Sequence, residues 1–272
     1  MFSYLIQEWK SDILQPRRII NGLLIFLLMP IYMSAFSSLK VNIPLINPFL
    51  WDHIFVDIDN LIHFGLPPWK ILQPLLGYPF ITNGINFFYH LWFIIMYGIL
   101  FWQAFSLKNP QLRMQYLLSF LLLWMVLGSI MAITFASVGP CYYGRIFNVS
   151  DPFQHLMQYL WSVKEEYPLW ALDVQEILWK DYNLGNLDKG RGISAMPSLH
   201  VATSVLFGLL GWKTNKILGI LLTFFASVVL IGSVHLGWHY AIDGYVAVFC
   251  TILIWKFAGY FVQCQSKKDW FQ

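Results

Sequence analysis

The 272-residue chain is 58% hydrophobic and 11% charged, against about 25% charged residues in a soluble domain, so it cannot cover a water-facing surface of ordinary polarity. Aromatic residues make up 18% of it, thirteen of them Trp, and such rings favour the membrane–water interface. The net charge of +3, with no basic run and no paired aromatic motif of the RNA-binding kind, argues against nucleic acid as a partner.

The composition therefore predicts an all-α integral membrane bundle, a single membrane domain over residues 1–272. About six transmembrane helices are expected: Ile19–Phe36, Phe80–Phe105, Met114–Ser137, Ser194–Trp212, Leu218–Leu236 and Tyr240–Val262. The first apolar run, behind Arg17 and Arg18, is about 18 residues long without a small-x-small cleavage site, and reads as a retained helix. Two connections are long, Ser37–Pro79 and Val138–Ile193. Within them "PPWKILQPLLG" and "DPFQHLMQYLWSVKEEYPLWALDVQEILWK" mix apolar and polar residues at helical spacing. They predict amphipathic helices on the outer membrane surface, either packing over the bundle mouth or guiding a lipid to it.

Charge orients the bundle. Lys10, Arg17, Arg18, Lys108, Arg113, Lys213, Lys216, Lys256, Lys267 and Lys268 fall on one side, opposed by Glu8, Asp12 and Asp269. The positive-inside rule predicts cytoplasmic termini, with the long connections facing the periplasmic, extracellular or lumenal side. Cys141, Cys250 and Cys264 form no disulfide framework and no CxxC metal spacing. The stretch "WDHIFVDIDNLIH" is the one outward segment able to offer metal ligands. It matches no metal motif and reads as a solvated acidic loop, so neither a metal nor another cofactor is expected.

Three polar clusters fall at the outward ends of spans three to six. In "GSVHLGWHYAIDGYVA", His239 and Asp243 stand four apart, one helical turn. An ionisable residue inside a span is costly. Asp243 can hold one imidazole N–H and leave the other nitrogen free to attack, or the pair can simply pin two helices. In "AMPSLH", Pro197 suits the first turn of a helix, and the N–H groups of Ser198, Leu199 and His200 would form an anion site there. The Ser198 hydroxyl adds a donor, His200 a proton carrier, and Lys189 and Arg191 charge. The alternative is an N-cap beside an interfacial histidine. In "VGPCYYGRIF", Arg145 either meets phosphate or snorkels to headgroups. The coincidence of all three at one membrane face favours a phosphate-handling site.

"PSLH" followed by "HYAID" resembles the type 2 phosphatidic acid phosphatase superfamily, and within it the inositol phosphorylceramide synthase-like branch. The resemblance covers residues 138–248 by motif, with a core of about 80–264, and the whole chain by its six-span layout. It implies transfer through a phosphohistidine without a metal: His239 as nucleophile, Asp243 as its orienting carboxylate, His200 as the acid for the leaving group and Ser198 as a phosphate ligand. Leu199 replaces the Gly of the phosphatase motif, Ser233 stands where the phosphatases carry an Arg, and their Lys-x6-Arg-Pro motif is not present as written. Arg145, Lys189 and Arg191, and more weakly His235, are the candidates to meet the phosphate charge. The implied substrates are a membrane phospholipid or lipid phosphate as donor and an alcohol or water as acceptor. The expected function is thus a lipid phosphotransferase. A lipid-phosphate phosphatase and a non-catalytic lipid transporter or lipid-binding protein are the alternatives.

Overall fold

The computed structural model describes residues 16–147, 149–185 and 192–266. Among them the chain is helical throughout and contains no strand. Five helices are long and apolar enough to cross a membrane. They are α1 (Pro16–Val41), α5 (Pro79–Phe105), α6 (Pro110–Thr134), α11 (Lys216–His235) and α12 (Ala241–Ser266). The protein is a multi-pass membrane protein. Helix α6 changes to π-helical geometry over Val126–Met131, a rare irregularity that tends to mark functional sites.

The remaining predicted span is shorter than expected. Helix α10 (Leu199–Thr214) has 16 residues, below the roughly 20 that a straight span needs. Residues 194–198 do not join it, because the N–H groups of Ala195 and Met196 bond the carbonyl and hydroxyl of Ser137 at 3.0 and 3.2 Å. Helix α10 instead runs through the bundle interior, packed on α11, α12 and α6. Threonine hydroxyls tie it to its neighbours: Trp92 Nε1 donates to Thr203 at 2.7 Å and Trp212 Nε1 to Thr223 at 2.9 Å. Such interhelical bonds add to close packing, which drives helix association in lipid.

The long connections are helical, as their spacing predicts. The first holds α2 (Ile43–Ile46), α3 (Asp52–Ile62) and α4 (Pro68–Leu76). The second holds α7 (Tyr143–Ile146), α8 (Gln154–Glu166) and α9 (Trp170–Asn183). Helix α8 buries Leu156, Leu160 and Val163, one face at helical spacing. The buried Asn86 of α5 clamps the α8–α9 joint. Its Oδ1 accepts the Ala171 N–H at 3.1 Å and its Nδ2 donates to the Pro168 carbonyl at 3.2 Å.

The acidic stretch is not a solvated loop. It forms α3, and Asp52 and Asp59, seven residues and two turns apart, are both buried. Val138 and Gly139 N–H groups and the Tyr240 hydroxyl saturate Asp52, the last at 2.7 Å. Burial raises its pKa on balance, against the opposing pull of Tyr240 and of the two backbone donors. A solvated carboxylate would have no need of three protein donors. These contacts fold the segment after α6 back onto the segment before α12. The join is tight enough that Gly139, at φ 86°, could not carry a β-carbon, which would stand 2.7 Å from the Trp238 carbonyl oxygen.

Candidate active site

Two helix N-termini meet at this end of the bundle, and they are filled differently. At α12 the first free donors are taken by carboxylates. Asp59 Oδ2 accepts the Ala241 N–H at 2.7 Å and its Oδ1 the Ile242 N–H at 2.8 Å. Asp243 accepts the Tyr240 N–H at 3.1 Å, the acidic half of a capping box. At α10, Ser198 is the N-cap and its hydroxyl accepts the Val201 N–H at 3.4 Å. The N–H groups of Leu199 and His200 have no partner among the described residues. Leu199 and His200 both line a cavity of about 280 Å³. Free N–H groups at a helix start are donors of the kind that suit an anion.

Two details differ from the sequence reading. Pro197 lies before the N-cap rather than in the first turn, and the Met196–Pro197 peptide is cis. The Ser198 N–H is not free, since it bonds the Asp243 carbonyl at 3.4 Å. Ser198 is fully buried as a cap, and that bond ties the start of α10 to the first turn of α12.

His239 and Asp243 do meet, though not on one helical face. His239 lies in the turn before α12 and Asp243 in its first turn. Asp243 Oδ2 reaches back to His239 Nδ1 at 3.2 Å. The turn itself is set by Ser233, whose carbonyl accepts the N–H groups of both Trp238 and His239 at 3.0 Å. That is the local role of the residue standing where the related phosphatases have Arg. With Nδ1 engaged, Nε2 of His239 is the nitrogen left for chemistry, and His239 lines the same cavity as His200.

His200 stands in an aromatic enclosure. Its ring stacks on Tyr89 at 4.7 Å and lies 4.1 Å from Trp92 between centroids, with Phe93 edge-on at 6.0 Å. Among the described residues neither ring nitrogen has a hydrogen-bond partner, and no carboxylate orients it. The two histidines are therefore unlike: one is carboxylate-held, the other held by ring packing alone.

The charged candidates separate. Arg145 does not line the cavity. Its guanidinium pairs with Glu176 and lies 5.3 Å over the Trp179 ring, which also stacks on Tyr142. Glu176 and Trp179 face it one turn apart on α9, and that geometry takes its charge away from the histidines. His235 is turned elsewhere as well, its Nε2 bonded to Thr82 at 2.9 Å. Lys189 and Arg191 lie outside the described residues.

Among the described residues, the Lys or Arg that lines the cavity is Lys40, in the last turn of α1. It has no acidic partner among the described residues. Its sequence signal was faint: a lone Lys where an apolar run gives way to Asn42 and Pro44. The rest of the wall is largely apolar, including Phe36 of α1, Val138, Val174 and Leu178 of α9, and Trp238. Gln175 of α9 donates to the Leu236 carbonyl at 3.0 Å and fixes that wall to the site.

A family model described as the PAP2 superfamily matches residues 53–257, about three quarters of the chain. The matched region opens inside α3 and closes within α12, so it takes in both histidines, Asp243 and Asp59 but neither Asp52 nor Lys40. No curated protein and no solved structure matches the chain.

Proposed function

The chain belongs to the PAP2 superfamily, whose members are of phosphatase and phosphotransferase type, and on that premise we propose that it is a lipid phosphotransferase of the inositol phosphorylceramide synthase-like branch. The observation that carries the reading is one cavity with two different imidazoles: His239 held through Nδ1 by Asp243, and His200 with neither nitrogen bonded among the described residues.

In this reading the donor phosphate sits against the Leu199 and His200 N–H groups and the Lys40 ammonium. The Nε2 lone pair of His239 attacks phosphorus, and the bond to the leaving alkoxide breaks. His200 gives that oxygen its proton, so the first product departs as an alcohol. Asp243 stabilises the charge that the His239 ring gains. His200, now neutral, takes the proton of an acceptor alcohol or water. That oxygen attacks the phosphohistidine, and the His239–phosphorus bond breaks. No metal is required, because the N–H pair and Lys40 meet the developing charge. The apolar wall suits a lipid donor, and the active site is assigned to the outer face with cytoplasmic termini by the charge asymmetry of the loops.

The test offers purified protein a panel of phospholipids and scores free phosphate and new lipid products by mass spectrometry. Headgroup transfer to an added alcohol supports the transferase. Phosphate release alone makes the protein a phosphatase, and no turnover of any donor overturns the enzymatic reading.

A further inference from the structure

The other end of the bundle carries a second polar site. There the C-terminal ends of α5 and α10 meet the start of α6 around a cavity of about 190 Å³. Lys108, Arg113 and Lys213 line it, with Asn109 and Thr214, and among the described residues its lining contains no carboxylate. Arg113 is fixed in place: Nε donates to the Gln103 carbonyl at 2.7 Å and Nη2 to the Ala104 carbonyl at 2.9 Å. These bonds satisfy the open end of α5 and leave Nη1 without a described partner. Lys213 is exposed at the last turn of α10.

Two apolar grooves adjoin this cup. One, of about 740 Å³, shares Trp102 and Thr214 with it and is walled by Ile95, Ile99, Leu218 and Leu222. The other, of about 850 Å³, shares Asn109 and Arg113 with it and is walled by Leu24, Ile25, Leu117 and Leu121. Both lie between helices apolar enough to span a membrane. Neither groove, nor the cup, shares a residue with the histidine cavity.

We infer that an anionic phospholipid of the leaflet facing away from the histidines docks here, its phosphate between Arg113 and Lys213 and one acyl chain in each groove. A soluble anion would leave both grooves unused, and a zwitterionic lipid would bring a cation against these two. Basic pockets between membrane helices recognise anionic headgroups in this way. The inference does not rest on the proposed activity, since it uses none of the histidine cavity.

Native mass spectrometry of the full purified chain tests it, with dioleoylphosphatidylglycerol and dioleoylphosphatidylcholine as probes. Wild type should retain the anionic lipid at least about fivefold better. A Lys213→Ala variant should lose most of that preference while keeping wild-type phosphatidylcholine retention and melting temperature. Gly98→Leu tests the chain site separately. Gly98 lines the first groove, and a β-carbon there meets nothing within 4 Å, so the side chain fills the groove without a clash at its base. It should weaken retention of both lipids several-fold without lowering the melting temperature, because Leu is a better helix former than Gly. Equal retention of the two lipids by wild type, or unchanged preference in the Lys213→Ala variant, overturns the headgroup assignment. Loss of the anionic lipid in Lys40→Ala but not in Lys213→Ala moves the lipid to the histidine cavity and also overturns it. Unchanged retention in Gly98→Leu overturns the acyl-chain assignment.

Discussion

A β-carbon on Gly192 would stand 2.4 Å from the carbonyl oxygen of Lys40. The segment leading into the histidine motif is therefore laid directly on the end of α1. That contact places a cation from outside the family-matched residues on the wall of the histidine cavity.

Lys40→Ala should lower turnover by roughly 10²–10³-fold, about 2–4 kcal/mol, the usual cost of losing one donor to transition-state charge. The melting temperature should change little, because the ammonium has no acidic partner to lose among the described residues. Lys40→Arg should recover part of the rate. Wild-type turnover in a folded Lys40→Ala variant would remove this residue from the site.

Arg145 should behave differently. Its pairing with Glu176 and Trp179 joins the segment after α6 to α9, which supplies Val174 and Leu178 to the cavity wall. Arg145→Ala is expected to raise KM several-fold with a smaller change in kcat, and Glu176→Gln should reproduce the effect. A pure loss of kcat in Arg145→Ala, absent from Glu176→Gln, would return Arg145 to direct phosphate contact.

The motif residues were legible because each pair lies within a few positions of sequence. Ser198 and His200 share a helix start, and His239 and Asp243 a capping turn. Residues that act across long separations were not. Asp52 lies 188 positions from Tyr240, and Asp59 lies 182 from Ala241. The spacing of Asp52 and Asp59 marks one helical face, but nothing local says that this face meets the start of α12. The fourth span was misplaced at its beginning for the same reason: the bonds from Ala195 and Met196 to Ser137 that keep residues 194–198 out of the helix come from 58 and 59 positions away.

Asp59→Ala tests that long-range frame. It leaves the Ala241 and Ile242 N–H groups without an acceptor, which costs about 1–3 kcal/mol for each buried donor left unpaired. The variant should melt earlier and turn over more slowly, since the same turn carries His239 and Asp243. Asp59→Asn keeps an acceptor oxygen and should recover part of both. Equal melting of wild type and Asp59→Ala would show that the carboxylate does not hold α12.

Metal removal should leave the activity intact. Two of the three carboxylates of the one candidate metal stretch are engaged by backbone donors and a phenol, Asp52 by four bonds and Asp59 by two, and among the described residues no three metal-ligating side chains gather. Activity is expected to survive prolonged EDTA treatment. Complete loss, restored by one divalent ion, would displace the phosphohistidine route.

The last prediction separates the two histidines. His239 has Nδ1 bonded to Asp243 at 3.2 Å, whereas His200 is held by Tyr89 and Trp92 and has no carboxylate beside it among the described residues. Attack is thus assigned to His239 and proton transfer to His200, and the two substitutions should fail in different ways. His239→Ala should abolish turnover and covalent labelling by a phosphate-labelled donor. His200→Ala should fail most with poor leaving groups, because a nitrophenyl ester departs with little help from an acid. That activated donor should still label His239 in the His200→Ala variant, and the adduct should accumulate, since the second step then lacks its base. Asp243→Asn should fold but slow attack, as the imidazole loses its orienting anion. An adduct that maps to His200, or labelling that survives the loss of His239, would reverse these roles while leaving the family membership untouched.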